Sequence, residues 1–268
     1  MVDSPVERSQ TAPAGFDAFR FAIGTFTRIP VAAPARLDRR IARGGLALGP
    51  IVGATIGLIT GLLLLVTPAD SVGRLLGATI VVGAAAWLTR ALHWDGLADF
   101  ADGLGSGAPA DRALDIMRRS DIGPFGVLAL GFTAAVQVTA LACVPSGAPA
   151  LSAWVVALAA GRLAIAIACG PWARAARSDG LGVLVVGAVT PGHVVAALGL
   201  ALAAAAVPTT LGHLTWRLTL VCVPVSTALV TGWISRAARR RLGGSTGDVL
   251  GATAEASTAA ALVVIALG

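Results

Sequence analysis

The chain has no lysine; all 20 of its basic residues are arginine. That absence reflects genome base composition and excludes nothing by itself. Charge as a whole is more informative: only 13% of the 268 residues are charged. A soluble domain of this length carries roughly twice that fraction, so a water-soluble globule is excluded. Aromatic residues are few, at 5%. Cys143, Cys169 and Cys222 lie in or beside apolar runs, with no Cys-x-x-Cys spacing and no nearby histidine. This argues against a disulfide framework or a zinc site. His93, His193 and His213 stand apart from any Ser-His-Asp or Cys-His arrangement, so nucleophilic triad chemistry is not expected. Residues 1–15 are polar, and no apolar run with a small-residue cleavage site follows. They are expected to form a disordered tail and not a cleaved signal.

What the sequence does contain is oil and small residues: 56% hydrophobic, 33 glycines, mean hydropathy +0.82. Runs of about 20 apolar residues are long enough to cross a bilayer as helices. Seven are present, near 45–66, 73–92, 123–143, 151–170, 183–206, 214–234 and 249–267. The fifth contains Thr190-Pro191-Gly192-His193, so it is either a broken helix or one that begins after Pro191. Residues 16–30 are too short and too charged to span, and are expected to lie at the interface as an amphipathic helix. The expected fold is therefore an all-α polytopic membrane protein, with residues 16–268 as one integral membrane catalytic domain.

A net charge of +6 is common in nucleic-acid-binding proteins, but here the arginines sit at the ends of apolar runs. With a cytoplasmic N-terminus, every arginine except Arg74, Arg162 and Arg217 falls in an inner segment. Arg74 and Arg217 fall outside, and Arg162 lies within the fourth run. The expected location is a bacterial cytoplasmic membrane, with the N-terminus and the active site facing the cytoplasm and no nucleic acid as partner. Small-residue faces such as Gly53 to Gly61 permit homo-oligomers.

Six of the 14 acidic residues lie between Asp95 and Asp121. In a helical "HWDGLADFADG", Asp95, Asp99 and Asp102 stand at i, i+4 and i+7 on one face. Three carboxylates on one stripe repel unless a cation sits among them. Hard oxygen ligands favour Mg²⁺ or Mn²⁺, and phosphoryl transfer is the natural chemistry. Asp248 and Glu255, seven apart, share a face of the last run. A glutamate two turns inside a membrane helix is a functional candidate that should meet a cation or an arginine. Gly243, Gly244 and Gly247 leave backbone free near Ser245 and Thr246, at a helix start suited to anions. The basic counterparts are Arg28, Arg118, Arg119, Arg174 and Arg177, with Arg90 one turn before the acidic stripe. Arg162 should pair with a buried acid or a bound anion.

Five ordered stretches resemble the cobalamin synthase family, the adenosylcobinamide-GDP ribazoletransferases. They are "FTRIP", "HWDGLADFADGL", "DIMRRSDIGPFG", "PWARAARSDGLG" and "GGSTGDVLGATAE", and they run from about Phe19 to Glu255. Two positions depart from the family pattern: Thr258 where many relatives carry a second acid, and Trp172 in place of the usual tyrosine. The resemblance implies that α-ribazole, or its 5'-phosphate, joins adenosylcobinamide-GDP at the membrane with Mg²⁺. GMP leaves, and adenosylcobalamin or its 5'-phosphate forms. On that reading Asp95, Asp99 and Asp102 hold metal, and Asp102 or a neighbour accepts the ribazole hydroxyl proton. Asp248 and Glu255 complete the metal shell or bind polar groups of the corrinoid. Arg28, Arg118 and Arg174 hold the diphosphate, with Arg90, Asp121, Arg162, Gly244 and Thr246 as further substrate contacts. Two other classes fit parts of the pattern: a CDP-alcohol-type lipid phosphotransferase, and a cation-coupled small transporter.

Overall fold

Small residues set the packing of this chain, because lipid tails are as apolar as leucine and give helices no hydrophobic reason to associate. The computed structural model describes residues 14–268, all in helices and their connections apart from one isolated bridge. Most of the predicted tail thus lies outside the described residues. From Ala14 the chain is already helical, in α1 (Ala14–Phe26). α1 buries Asp17, Ala18, Phe21, Ala22 and Phe26 on one face. It ends well before the expected residue 30, where Thr27 Oγ1 accepts from the Ile29 amide at 3.1 Å ahead of Pro30.

α2 (Arg39–Ala47) is capped by Asp38, whose Oδ1 accepts from the amides of Arg40 and Ile41 at 2.8 Å each. α3 (Gly49–Gly61) follows and tightens into a 3₁₀ turn at Leu62–Leu65. The two helices bend by 46° at Leu48, beside Pro50, which cannot donate a helix hydrogen bond. Together they are long enough to cross once, and they occupy the place of the expected first run. α4 (Ser71–Leu88) carries the second. Two short helices, α5 (Leu92–Gly105) and α6 (Ala110–Ile116), precede α7 (Pro124–Cys143) and α8 (Ala148–Ala168). The fifth run resolves in favour of the later start: α9 (Leu181–Val185) is a separate turn, and the long helix α10 begins at Pro191 and reaches Leu211. Gly187, at φ 70, reverses the chain between them. α11 (Val223–Leu242) is entered through a π turn at Leu218–Cys222, and α12 (Gly247–Ala266) closes the bundle.

Among the described residues, six helices, or seven counting the bent pair, are long and apolar enough to span a membrane. α8 is the central post: almost its whole length is buried, whereas α4, α7, α10 and α11 turn most of theirs outward. Leu76, Phe132 and Leu229 are among the bare apolar side chains on those outer faces, as expected for lipid contact. α3 lies against α8 through Gly53, Gly57 and Gly61. A Cβ added at Gly57 would come within 2.8 Å of the Val155 Cα, and one at Gly53 would overlap the Leu158 carbonyl. The glycine face that permitted self-association is thus used inside the molecule. α8 meets α12 in the same way, through Gly161 against Ala254 and Thr258.

The polar connections gather at one end. The Arg28 amide donates to the Leu88 carbonyl; the Ala176 amide donates to the Ser245 carbonyl, and the Ser245 amide donates to the Arg174 carbonyl, which bridges Ala175 and Ser245. At the other end the connections are short, as where the Gly147 amide donates to the Leu64 carbonyl.

Candidate active site

The site is built where α4 breaks. Arg90 and Ala91 both adopt left-handed backbone, at φ 57 and 54. Such conformations are strained for residues with a Cβ, and here they swing α5 off the end of α4. α5 then crosses α12 at two glycines. A Cβ on Gly96 would lie 2.8 Å from the Asp248 Cα, and one on Gly251 would lie 2.9 Å from the His93 carbonyl oxygen. No larger residue permits that approach, and the approach sets Asp95 and Asp99 beside Asp248.

Asp95 is exposed, Asp99 is half-buried, and Asp248 is partly covered. Asp248 Oδ2 accepts from Thr246 Oγ1 at 3.0 Å and lies 3.7 Å from Arg177 Nη1. Thr246 also caps α12, accepting from the Val249 amide. Arg177 is held in place by donating Nη2 to the Leu114 carbonyl at 2.7 Å. Asp99 shows how crowded the carboxylates are. Burial, then the negative charges of Asp95, Asp248 and Asp102, push its carboxyl up to about 7, with Arg177 opposing.

Beside these groups lies a cavity of about 280 Å³. Asp95, Asp248, Arg177, Thr246 and Asp179 supply its polar wall, and Phe26 and Leu46 are on its apolar side. The segment between α8 and α10 forms one side. It is fastened by Arg39, which donates to the carbonyls of Val183 and Val186 at 2.9 Å each. Gly244 is required where that segment is stitched to the start of α12, since a Cβ there would come 2.5 Å from the Arg174 carbonyl.

The predicted residues do not all meet. Asp102 is buried and points away from the cavity. Its two oxygens accept from the amides of Gly123 at 2.7 Å and Gly126 at 2.9 Å, capping α7 from outside. Glu255 lies in a separate, deeper cluster, where Gln137 Nε2 donates to its Oε2 at 2.9 Å. Arg162, 1% exposed, shares a cavity of about 10 Å³ with Glu255 and Gln137. Its Nη2 is 3.4 Å from His93 Nδ1, while Nε and Nη1 have no protein partner. His93 stacks on Phe26, and burial, reinforced by Arg162, holds its imidazole well below the usual range. Arg162 thus faces a buried acid, away from the open cavity.

Of the other arginines, Arg28 lies over the Trp87 ring at 3.7 Å and Arg90 donates to the Gly24 carbonyl at 2.9 Å. Both fasten α1 to the end of α4. Arg118 pairs with Asp179 through two bonds of 2.7 and 2.9 Å at the cavity rim. Arg174 and Gly244 line a different cavity, and Asp121 is exposed ahead of α7. The arginine at the carboxylates is therefore Arg177, not Arg174. Asp179 and Gln137 were missed by sequence reasoning. Gln137 carried a readable signal, as a lone amide within an apolar run.

Comparison with known proteins gives the chain a family. The family model described as cobalamin-5-phosphate synthase matches residues 18–266. A protein of a Nocardioides species named adenosylcobinamide-GDP ribazoletransferase is 38% identical over 92% of this chain and 97% of its own length. One of the same name from Frankia casuarinae is 38% identical over 92% of this chain and 94% of its own. One from Citrobacter koseri is 36% identical over 85% and 91% respectively. No solved structure matches the chain. A match that runs through every motif around the carboxylate cavity shows that the chain belongs to the cobalamin-5-phosphate synthase family.

Proposed function

We propose that the chain catalyses the reaction for which its relatives are named, joining α-ribazole, or its 5'-phosphate, to adenosylcobinamide-GDP with release of GMP. This is the late nucleotide-loop assembly step of cobalamin biosynthesis. The observation that carries the reading is the cavity walled by Asp95 and Asp248, from two helices that cross at Gly96 and Gly251. In the transfer, the ribazole hydroxyl oxygen forms a bond to the phosphorus that bears cobinamide. The bond from that phosphorus to the GMP oxygen breaks, and the hydroxyl proton passes to a base.

Among the described residues, no three His, Cys, Asp or Glu side chains form a cage for a metal. Mg²⁺ needs none, since one or two carboxylates plus substrate phosphates commonly hold it. The partly buried Asp99 carboxyl, crowded by the negative charges of Asp95, Asp248 and Asp102, marks a place where a cation is favoured. The donor set therefore fits Mg²⁺, or Mn²⁺, with Asp95 and Asp248 as ligands. The ion would neutralise charge on the departing GMP. Arg177, forked between Asp248 and the Leu114 carbonyl, orients the diphosphate. The amides at the start of α12 donate to phosphate oxygens. Asp99 replaces Asp102 as the group that accepts the hydroxyl proton, because both Asp102 oxygens already receive amides.

The orientation belongs to the same proposal. The arginine-rich end, with the cavity, faces the cytoplasm across a bacterial cytoplasmic membrane, leaving Arg74 and Arg217 at the other end. The test is mass spectrometry of products from the purified protein with adenosylcobinamide-GDP, α-ribazole and Mg²⁺. GMP and a complete corrinoid are expected. Release of CMP with a lipid acceptor would point instead to the CDP-alcohol class, and uptake into vesicles without conversion to a transporter.

A further inference from the structure

A second cavity, of about 230 Å³, lies between α11 and the segment that follows α8. Its mouth carries Arg174, Arg236 and Arg239, and among the described residues none of the three is in an ion pair. Trp172 sits at the same mouth, half exposed, its Nε1 donating to the Ile167 carbonyl at 3.1 Å. A tryptophan so placed marks headgroup level. The floor is different. It runs down α11 through Ser235, Gly232, Thr231 and Ala228. At 1.5 Å per residue, Thr231 lies about 12 Å deeper than Arg239, and Ala228 about 16 Å deeper. Thr231 is 1% exposed, yet its Oγ1 has no hydrogen-bond partner, and neither has the Oγ of Ser235. Gly232 has open space in front of it.

We infer that this cavity binds one anionic phospholipid, with the phosphate diester between the three arginines and an acyl chain along the glycine floor. Guanidinium groups bind phosphate through paired donors. The unpartnered Ser235 hydroxyl lies one turn, about 6 Å, below Arg239, at the depth where an ester carbonyl of a glycerolipid would accept from it, and the Thr231 hydroxyl lies deeper, on the floor. A free phosphate ester would satisfy the arginines alone and leave the hydroxyls and the floor unused. Arg174 acts here as a lipid ligand. The assignment is independent of the transfer reaction, because this cavity shares none of the carboxylates.

The test uses the full chain in phosphatidylcholine nanodiscs to which phosphatidylglycerol is added, with retained lipid measured by native mass spectrometry. One phosphatidylglycerol per chain should be retained in preference to phosphatidylcholine. The double variant Arg236→Gln/Arg239→Gln should lower that retention about thirtyfold, at the usual contribution of an arginine near an anionic lipid. Gly232→Leu fills the floor without changing charge, and should also release the lipid. Transfer activity in these variants, measured separately, reports folding. Equal retention of the two lipids by the unaltered chain would overturn the inference, as would undiminished retention in both variants. Glycerol 3-phosphate displacing the lipid as well as a short-chain phosphatidylglycerol does would also overturn it, because the tail would then be irrelevant.

Discussion

Three aspartates of one motif have three different environments, and this decides what each substitution should do. Asp95 and Asp248 face open space. Their conversion to Asn should leave the protein folded while lowering kcat by about a hundredfold or more, the scale of losing a transition-state charge partner. Asp102 receives the first free amides of α7. Asp102→Asn can accept only one of them well. It should lower stability by about 1–2 kcal/mol, as losing a helix cap does, with the melting temperature falling more than for Asp95→Asn. Asp99 gives the pH signature. Its folded pKa of about 7 lies above the ordinary value of 3.8, so the folded chain holds that proton more tightly than the unfolded chain. Stability from this group is therefore present at low pH and declines as pH rises from about 4 through about 7. Thermal melts without metal should show that decline in the unaltered chain and a flatter profile in Asp99→Asn. Added Mg²⁺ should flatten the decline in the unaltered chain as well.

At the scale of elements, the joint between α4 and α5 is strained and the contact between α5 and α12 is tight. Ala91 holds a left-handed backbone at φ 54, so Ala91→Gly should raise stability by about 1 kcal/mol, read as a higher melting temperature. Gly96→Val should push α5 away from Asp248 and lower activity with little change in helix content measured by circular dichroism. The long helices were legible in the sequence because a 20-residue apolar run has few alternatives in lipid. The boundary at Pro191 was left open because residues 183–189 are equally apolar, and only the reversal at Gly187 separates them from α10. α2 was hidden because its arginines resemble a loop, although Asp38 stands ready to cap it. Within the site, Asp95 and Asp248 were readable as acids flanking an oily chain. That Asp102 turns to α7 was not legible, because the amides it caps lie 21 and 24 residues further along. Arg177 could not be told from Arg174, since an irregular segment has no period to say which side chain turns inward.

At the scale of the whole molecule, charge and packing agree. The arginine-rich end carries the carboxylate cavity, and α8, wrapped by α3, α10 and α12, fixes that end to the rest of the bundle. Glu255, Gln137, Arg162 and His93 lie beneath the cavity as a buried polar cluster linking α12, α7, α8 and α5. Removing one member leaves others unsatisfied. Glu255→Leu should therefore lower thermal stability more than Asp95→Asn does, and reduce activity only through loss of folded protein. The central claim is that Asp95 and Asp248 hold the divalent ion that drives GMP release. Its most direct test is the Mg²⁺ dependence of GMP formation by purified protein, compared between the unaltered chain and the Asp95→Asn and Asp248→Asn variants. The claim predicts saturable dependence on Mg²⁺ in the unaltered chain and near-complete loss in both variants. GMP formation at full rate in both variants, with an unchanged Mg²⁺ midpoint, would contradict it.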